Sequence, residues 1–280
     1  MRQLSPACAL IALPLALVWS FERPAPVAAQ AQPAASVQAV PQAQASCAKI
    51  WVGREAEYEA FLRTAPVDRF DDIPVGVTRP KRAFFKPGGL AASAAWKPLR
   101  PGIHGGFWDS YKSEIAAYEL DKLLGLHMVP PAVERALDRD YGALILWVEN
   151  VKGWEPEDDP KGPDAHAWAK ELVRRKMFDN LISNGDRNQG NLLYDAEYHL
   201  ILIDHSRALT TSKDMPVKLG RFDKALWERM EALTYDQLEP VLSPWMGKRE
   251  IQAILARRDK MKKELDALLA NVSPYAVFMR

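Results

Sequence analysis

Between Trp168 and His205 the chain orders its apolar runs and polar residues in a way that a helix, a tight loop and a hairpin satisfy together. Trp168, Leu172, Val173, Met177, Leu181 and Ile182 recur at steps of 4, 1, 4, 4 and 1, one face of an amphipathic helix, with Asp164 as its N-cap candidate. Ser183-Asn-Gly-Asp-Arg-Asn-Gln-Gly breaks the period, and Gly185 and Gly190 suit tight turns, including those that need a positive φ. Leu192-Leu-Tyr and Leu200-Ile-Leu-Ile flank Asp195-Ala-Glu-Tyr, a hairpin signal whose second run ends on Asp204.

Such a hairpin returns Asp204 beside the loop that carries Asp186 and Asn191, at relative positions 0, 5 and 18. Phosphoryl transfer uses this set: one Asp orients the acceptor hydroxyl, while an Asn and a second Asp hold the metal that bridges the phosphates. The plainer alternative reads Asn184-Gly-Asp as a helix-terminating turn. It leaves the long preceding helix and the Asp at the hairpin's end without a reason.

Chemistry of this kind also needs a cation on the phosphates and an acid to hold it. Arg82-Ala-Phe-Phe reads as a strand ending on Lys86, stopped by Pro87 and Gly88-Gly89. Tyr111 to Gly125 reads as a helix with Ala116, Leu120, Leu123 and Leu124 as its core stripe, and Glu114 falls in its first turns. Taken singly, Lys86 is equally an edge-strand lysine in water and Glu114 a solvated carboxylate near a helix N-terminus. Their order ahead of Asp186 favours a pair.

Tyr111-Lys-Ser-Glu-Ile-Ala-Ala-Tyr-Glu-Leu-Asp-Lys-Leu-Leu-Gly-Leu-His-Met-Val-Pro-Pro-Ala-Val-Glu-Arg135, with Phe178-Asp-Asn-Leu-Ile-Ser-Asn-Gly-Asp-Arg-Asn-Gln-Gly-Asn-Leu-Leu193, resembles the atypical kinases of the secretory pathway. That group includes the Golgi casein kinase, the proteoglycan xylose kinase and four-jointed, with bacterial relatives distantly similar to phosphatidylinositol kinases and HipA. The resemblance spans about residues 70 to 260. It implies an α+β, two-lobed protein-kinase-like fold, with a small β-rich N-lobe over about 47–148 and a larger, mainly helical C-lobe over about 149–280. It further implies ATP with Mg2+ or Mn2+, Lys86 on the phosphates, Glu114 positioning Lys86, Asp186 as catalytic Asp, and Asn191 and Asp204 on the metal. Gly76-Val-Thr-Arg-Pro-Lys81 falls where a loop over the phosphates would lie, although it has a single glycine. Gly142-Ala-Leu-Ile-Leu-Trp-Val-Glu149 is a strand candidate that would lead to the adenine-receiving hinge.

Two departures stand out. Many relatives carry Asp-Arg-His where this chain has Asp186-Arg187-Asn188, and the usual Asp-Phe-Gly is Asp204-His205-Ser206. The second removes the glycine on which an activation segment pivots, while both leave the expected metal ligands in place.

Arg2 precedes a mostly apolar stretch from Ala7 to Val18, too short to span a bilayer and broken by Pro14, and Val27-Ala28-Ala29 offers a cleavage site. Residues 1–29 therefore read as a signal peptide and 30–46, uncharged and rich in Ala, Gln and Pro, as a flexible linker to a kinase-like domain over 47–280. The mature chain would be secreted or periplasmic, without a stable membrane span, and would keep Cys47 alone of its two cysteines, so no internal disulfide is expected. A net charge of +1 gives no electrostatic footprint for nucleic acid.

Ile50 to Arg100 is short on helical period and reads as β-rich, Glu155 to Pro160 as a solvated acidic loop, and Ala256 to Lys263 as a solvated basic helix face. Leu226, Met230 and Leu233, then Ile251, Ile254, Leu255, Met261, Leu265, Leu268 and Leu269, place core-facing helices in the C-terminal third. No zinc-type His or Cys spacing and no Walker pattern occurs. The expected activity is ATP- and metal-dependent phosphate transfer to a hydroxyl of a protein Ser/Thr, a glycan or a small polar molecule. A kinase-fold adenylyltransferase and a non-catalytic nucleotide-binding pseudokinase are the alternatives, because an exported chain must find its nucleotide outside the cytoplasm.

Overall fold

The computed structural model describes residues 48–74, 80–137, 139–162 and 164–279. The expected signal peptide, linker and Cys47, and most of the expected phosphate loop (76–79), lie outside the described residues. The first helix, α1 (Glu55–Thr64), corrects the expectation that this region lacks helix: Tyr58 and Leu62 are four apart, both buried, and they close one side of a sheet. That sheet has five antiparallel strands: β1 (Val67–Asp72), β2 (Lys81–Phe85), β3 (Ser93–Lys97), β6 (Ala132–Leu137) and β7 (Asp140–Leu146). Its order is β1-β2-β3-β7-β6, which puts β3 at the centre.

A two-stranded hairpin, β4 (Gly102–His104) and β5 (Phe107–Asp109), leads into α2 (Tyr111–Leu123). Ser110 caps α2, accepting from the Lys112 amide, and Gly125 leaves the helix at φ +56°, as a C-terminal glycine does. Ala116, Leu120 and Leu124 are buried as expected, whereas Leu123 faces water. Beyond the sheet come β8 (Lys152–Gly153), α3 (Asp164–Ile182), β9 (Leu192–Tyr194) and β10 (Leu200–Leu202). Asp164 is the first helical residue of α3, an acid in its first turn. β9 and β10 form the anticipated hairpin, and β8 adds a third strand at β9.

The C-terminal part is helical: α4 (Lys224–Glu231), α5 (Tyr235–Leu242), α6 (Lys248–Leu269) and α7 (Pro274–Val277). The short parallel pair β11 (Phe222–Asp223) and β12 (Phe278–Met279) stitches the chain's end to the start of α4. The expected core positions Leu226, Met230, Ile251, Ile254, Met261 and Leu265 are buried.

Two hydrophobic cores result, one under the sheet and one among the helices. Strand alternation shares residues between them. Val133, Leu144, Leu146 and Ile201 point to the first, while Ala132, Ala143, Ile145, Leu200 and Leu202 point to the second. Between the cores lies a cavity of about 440 Å³. Gly142 permits the approach of β7 to the end of β3, since a Cβ there would stand 2.5 Å from the Lys97 carbonyl and 2.7 Å from Pro98.

Candidate active site

The buried ammonium in this cavity is that of Lys97, at the end of the central strand β3. Its Nζ donates to Glu114 Oε1 at 2.7 Å and to Asp204 Oδ1 at 2.9 Å. Lys86 does not take this place: it follows the end of β2, one strand further out, and is exposed. The two lysines share a local signature, an apolar strand end followed by proline, so sheet order decides between them. Along β3 the period of two turns Ala94 and Trp96 into the core under the sheet and Ala95 and Lys97 into the cavity.

Burial alone would lower the pKa of Lys97, but the Glu114 and Asp204 carboxylates outweigh it and hold the ammonium charged above its ordinary range. Burial alone would likewise raise Glu114, and Lys97 with the His205 side chain outweighs it, keeping the carboxylate ionised well below its usual range. Glu114 Oε2 accepts from the His205 backbone amide at 2.9 Å. One carboxylate thus ties α2 to the sheet and to the segment after Asp204. This pair uses the Glu114 expected from sequence with a lysine that sequence did not single out.

Across the cavity, α3 ends at Ile182 and the following loop presents Asp186, exposed, and Asn191, buried. From the end of α3 to Asp204 the positive φ values fall on Ser183 (53°), Tyr198 (61°) and Asp204 (61°); Gly185 and Gly190, the expected positions, are not among them. Asn191 Nδ2 donates to the Asp186 carbonyl at 3.3 Å, which fixes the two residues relative to each other. Arg187 is the strut behind them. Its side chain, 3% exposed, donates to buried Asp179, to the Asn191 and Ile203 carbonyls, and meets His205 Nε2 at 2.9 Å. It therefore locks the loop to the hairpin's end, and Asp204 stands beside Asn191 on the cavity wall.

His205 follows Asp204 directly. Its ring is buried and packs edge-on to Phe178, and burial pushes its pKa down, so it stays neutral near pH 7. It supports Arg187 and, through its backbone amide, Glu114. Ser206, where the usual kinase motif has a pivoting glycine, is buried; its hydroxyl donates to Asp109 and its carbonyl accepts from the Ser110 amide. The segment is pinned to the start of α2.

The far wall is the chain leaving β7, Trp147 to Val151, joined by Val129, Leu193 and Leu202. Arg82 lies over Trp147 at 4.2 Å and pairs with Glu149 at 2.7 Å, holding this connection to the sheet. The wall is mostly apolar, the composition that flat heteroaromatic ligands use. Asp204 and Asn191 suit a hard divalent ion. Both offer oxygen donors, Asp204 is about one-third exposed (36%), and neither Asp204 Oδ2 nor Asn191 Oδ1 makes a hydrogen bond among the described residues. Among the described residues no helix is long and apolar enough to cross a membrane.

No protein-family model and no curated protein matches the sequence. Solved structures do match. The Golgi casein kinase with Mn/ADP bound superposes with a TM-score of 0.65 at 14% identity, covering 80% of this chain and 78% of that one. A second structure of the Golgi casein kinase gives 0.64 at 14%, over 80% and 77%. Hydra Fam20 with sugar gives 0.60 at 16%, over 80% and 91%. The sheet with its packed helices α1 and α2, the apolar cleft and the helical remainder form a two-lobed kinase fold, the fold of the Fam20-type kinases.

Proposed function

We propose that this chain is an ATP-dependent phosphotransferase whose acceptor is a hydroxyl on a protein, a glycan or a small polar molecule, acting in the secretory pathway or periplasm. The observation that carries it is Lys97 Nζ between Glu114 and Asp204 in a cleft walled by Asn191 and by Trp147 to Val151, with Asp186 tied to Asn191 through its carbonyl. In this reading adenine occupies the apolar wall and Lys97 steadies the phosphates. Asn191 and Asp204 would hold Mg2+ or Mn2+, which when bound supplies charge neutralisation on the phosphates. Asp186 orients the acceptor hydroxyl toward the γ-phosphorus and receives its proton. The hydroxyl oxygen forms the new P–O bond, the bond to the bridging oxygen breaks, and ADP carries away the electron pair. The chain contributes position and charge.

Intact-mass measurement on the chain with ATP, Mn2+ or Mg2+ and candidate acceptors tests this. Phosphate-sized additions that vanish in Asp186→Ala and Asp204→Ala are expected, with nucleotide binding surviving better in Asp186→Ala. Additions of adenylyl size would redirect the chemistry, and equal nucleotide binding by all three proteins without transfer would reduce the chain to a binding module.

A further inference from the structure

Arg207 is the residue between Asp186 and the small lobe. Its Nη1 donates to Asp186 Oδ2 at 3.1 Å, and its Nε donates to Asp109 Oδ1 at 3.1 Å. Its guanidinium lies over the Phe107 ring at 4.3 Å. Asp109 is 1% exposed and also accepts from Ser206, so the anchor is rigid, whereas Asp186 at the other end is nearly half exposed (46%). Phe107 and Asp109 are the two ends of β5, immediately before the cap of α2.

We infer that Arg207 is a positioning residue for acceptor chemistry, fixing the Asp186 carboxylate from a mount built on β5. The inference rests on the phosphotransferase reading above. An exposed Asp on a loop samples several rotamers. A charged hydrogen bond from a partner that is itself held by a buried carboxylate and an aromatic face selects one of them. With Oδ2 engaged, Oδ1 makes no hydrogen bond among the described residues and is left to meet an incoming hydroxyl. Arginine suits the place because its planar fork reaches Asp109 and Asp186 at once while one face stacks; lysine has a single nitrogen and no face. The acceptor-orienting group of the large lobe is thereby registered to the same hairpin and helix that carry Glu114. The opposite reading, in which Arg207 blocks Asp186, predicts the reverse effect of its removal.

The test compares the intact chain with its Arg207→Ala, Arg207→Lys and Asp109→Asn variants, reading acceptor phosphorylation and, separately, nucleotide affinity. In Arg207→Ala, turnover should fall about 10- to 100-fold, the cost of a misplaced reacting group, with affinity for ADP and Mn2+ within about twofold of wild type. Arg207→Lys should recover part of that loss. Asp109→Asn should lower turnover in the same direction, and combining it with Arg207→Ala should add little, because both act through one carboxylate. Turnover that is unchanged or raised in Arg207→Ala overturns the positioning role while leaving the phosphotransferase reading intact. An absence of transfer by the wild-type chain overturns both. Loss of ADP binding in Arg207→Ala together with full activity in Asp109→Asn would make Arg207 a nucleotide-side residue and overturn the inference as well.

Discussion

Lys97 and Glu114 are nearly removed from water, so their pairing carries both a stability cost and a function. Breaking a buried ion pair by removing one partner costs about 3–5 kcal/mol, because the other charge is left uncompensated. Lys97→Met keeps the volume but strands Glu114, with Asp204 also losing a donor. Chemical denaturation should therefore find Lys97→Met several kcal/mol less stable than wild type, with part of the loss returned by Glu114→Gln in the same chain. Phosphate transfer should fall by about 100-fold or more in either, on the scale of losing a preorganised electrostatic group. Lys86→Met, at an exposed residue outside the cavity, should leave both measurements unchanged; a Lys86→Met chain that loses transfer while Lys97→Met retains it would reverse the assignment. The local signal could not separate these lysines, because strand, lysine and proline recur at both. What separates them is strand order, a long-range property. By contrast, the local placement of Asp186, Asn191, Asp204 and Glu114 was legible because each is set by local structure: a helix end, a hairpin end and a helix's first turn. Arg207 and Asp109 carry no such local mark. They meet only because the segment after Asp204 folds back onto the hairpin before α2.

At the scale of elements, α2 is the part of the chain with the most imposed on it, since it holds Glu114 at one end and Asp121 near the other. Asp121 is 1% exposed, and its Oδ1 accepts from the Met128 and Val129 amides, bracing the loop that follows Gly125. Burial pushes its pKa up to about 7, with those two amides and the charges of Lys49 and Arg174 opposing the rise. A carboxyl whose folded pKa is raised adds stability that is fully present below its unfolded pKa and is lost as pH rises through the folded one. The relevant window is pH 4 to 7. Asp121→Asn keeps an oxygen for both amides without a charge to bury. Denaturation should find the variant close to wild type at pH 4 and more stable at pH 8, by on the order of 2–4 kcal/mol if the whole shift is expressed. A difference independent of pH would show that Asp121 is not buried as a titrating group. The helices and the β9–β10 hairpin were legible from period and turn residues. α1 was not, because its two buried positions are too few to make a stripe. Nor was the short β11–β12 pair, which depends on the end of the described chain meeting the segment just before α4.

The molecule as a whole has two cores that share strands. β6, β7 and β10 each turn alternate side chains into different cores, and α2 packs in the helical core while presenting Glu114 to the sheet. Lobes joined in this way have no plane along which one could melt and leave the other's core dry. Far-UV circular dichroism and hydrogen exchange followed separately in β3 and α6 should therefore report one coincident unfolding transition. The cleft lies on the surface where the cores meet, so a ligand bound there stabilises both. ADP with Mn2+ at about 100 times its Kd should raise the unfolding free energy by about 2.7 kcal/mol at β3 and α6 alike. Because Lys97 is proposed to hold the phosphates, the increment should shrink in Lys97→Met and persist in Lys86→Met. Separate transitions for β3 and α6, or an increment confined to one of them, would mean that the lobes fold independently. The shared strands would then not be what carries nucleotide binding from the sheet to the loop of Asp186.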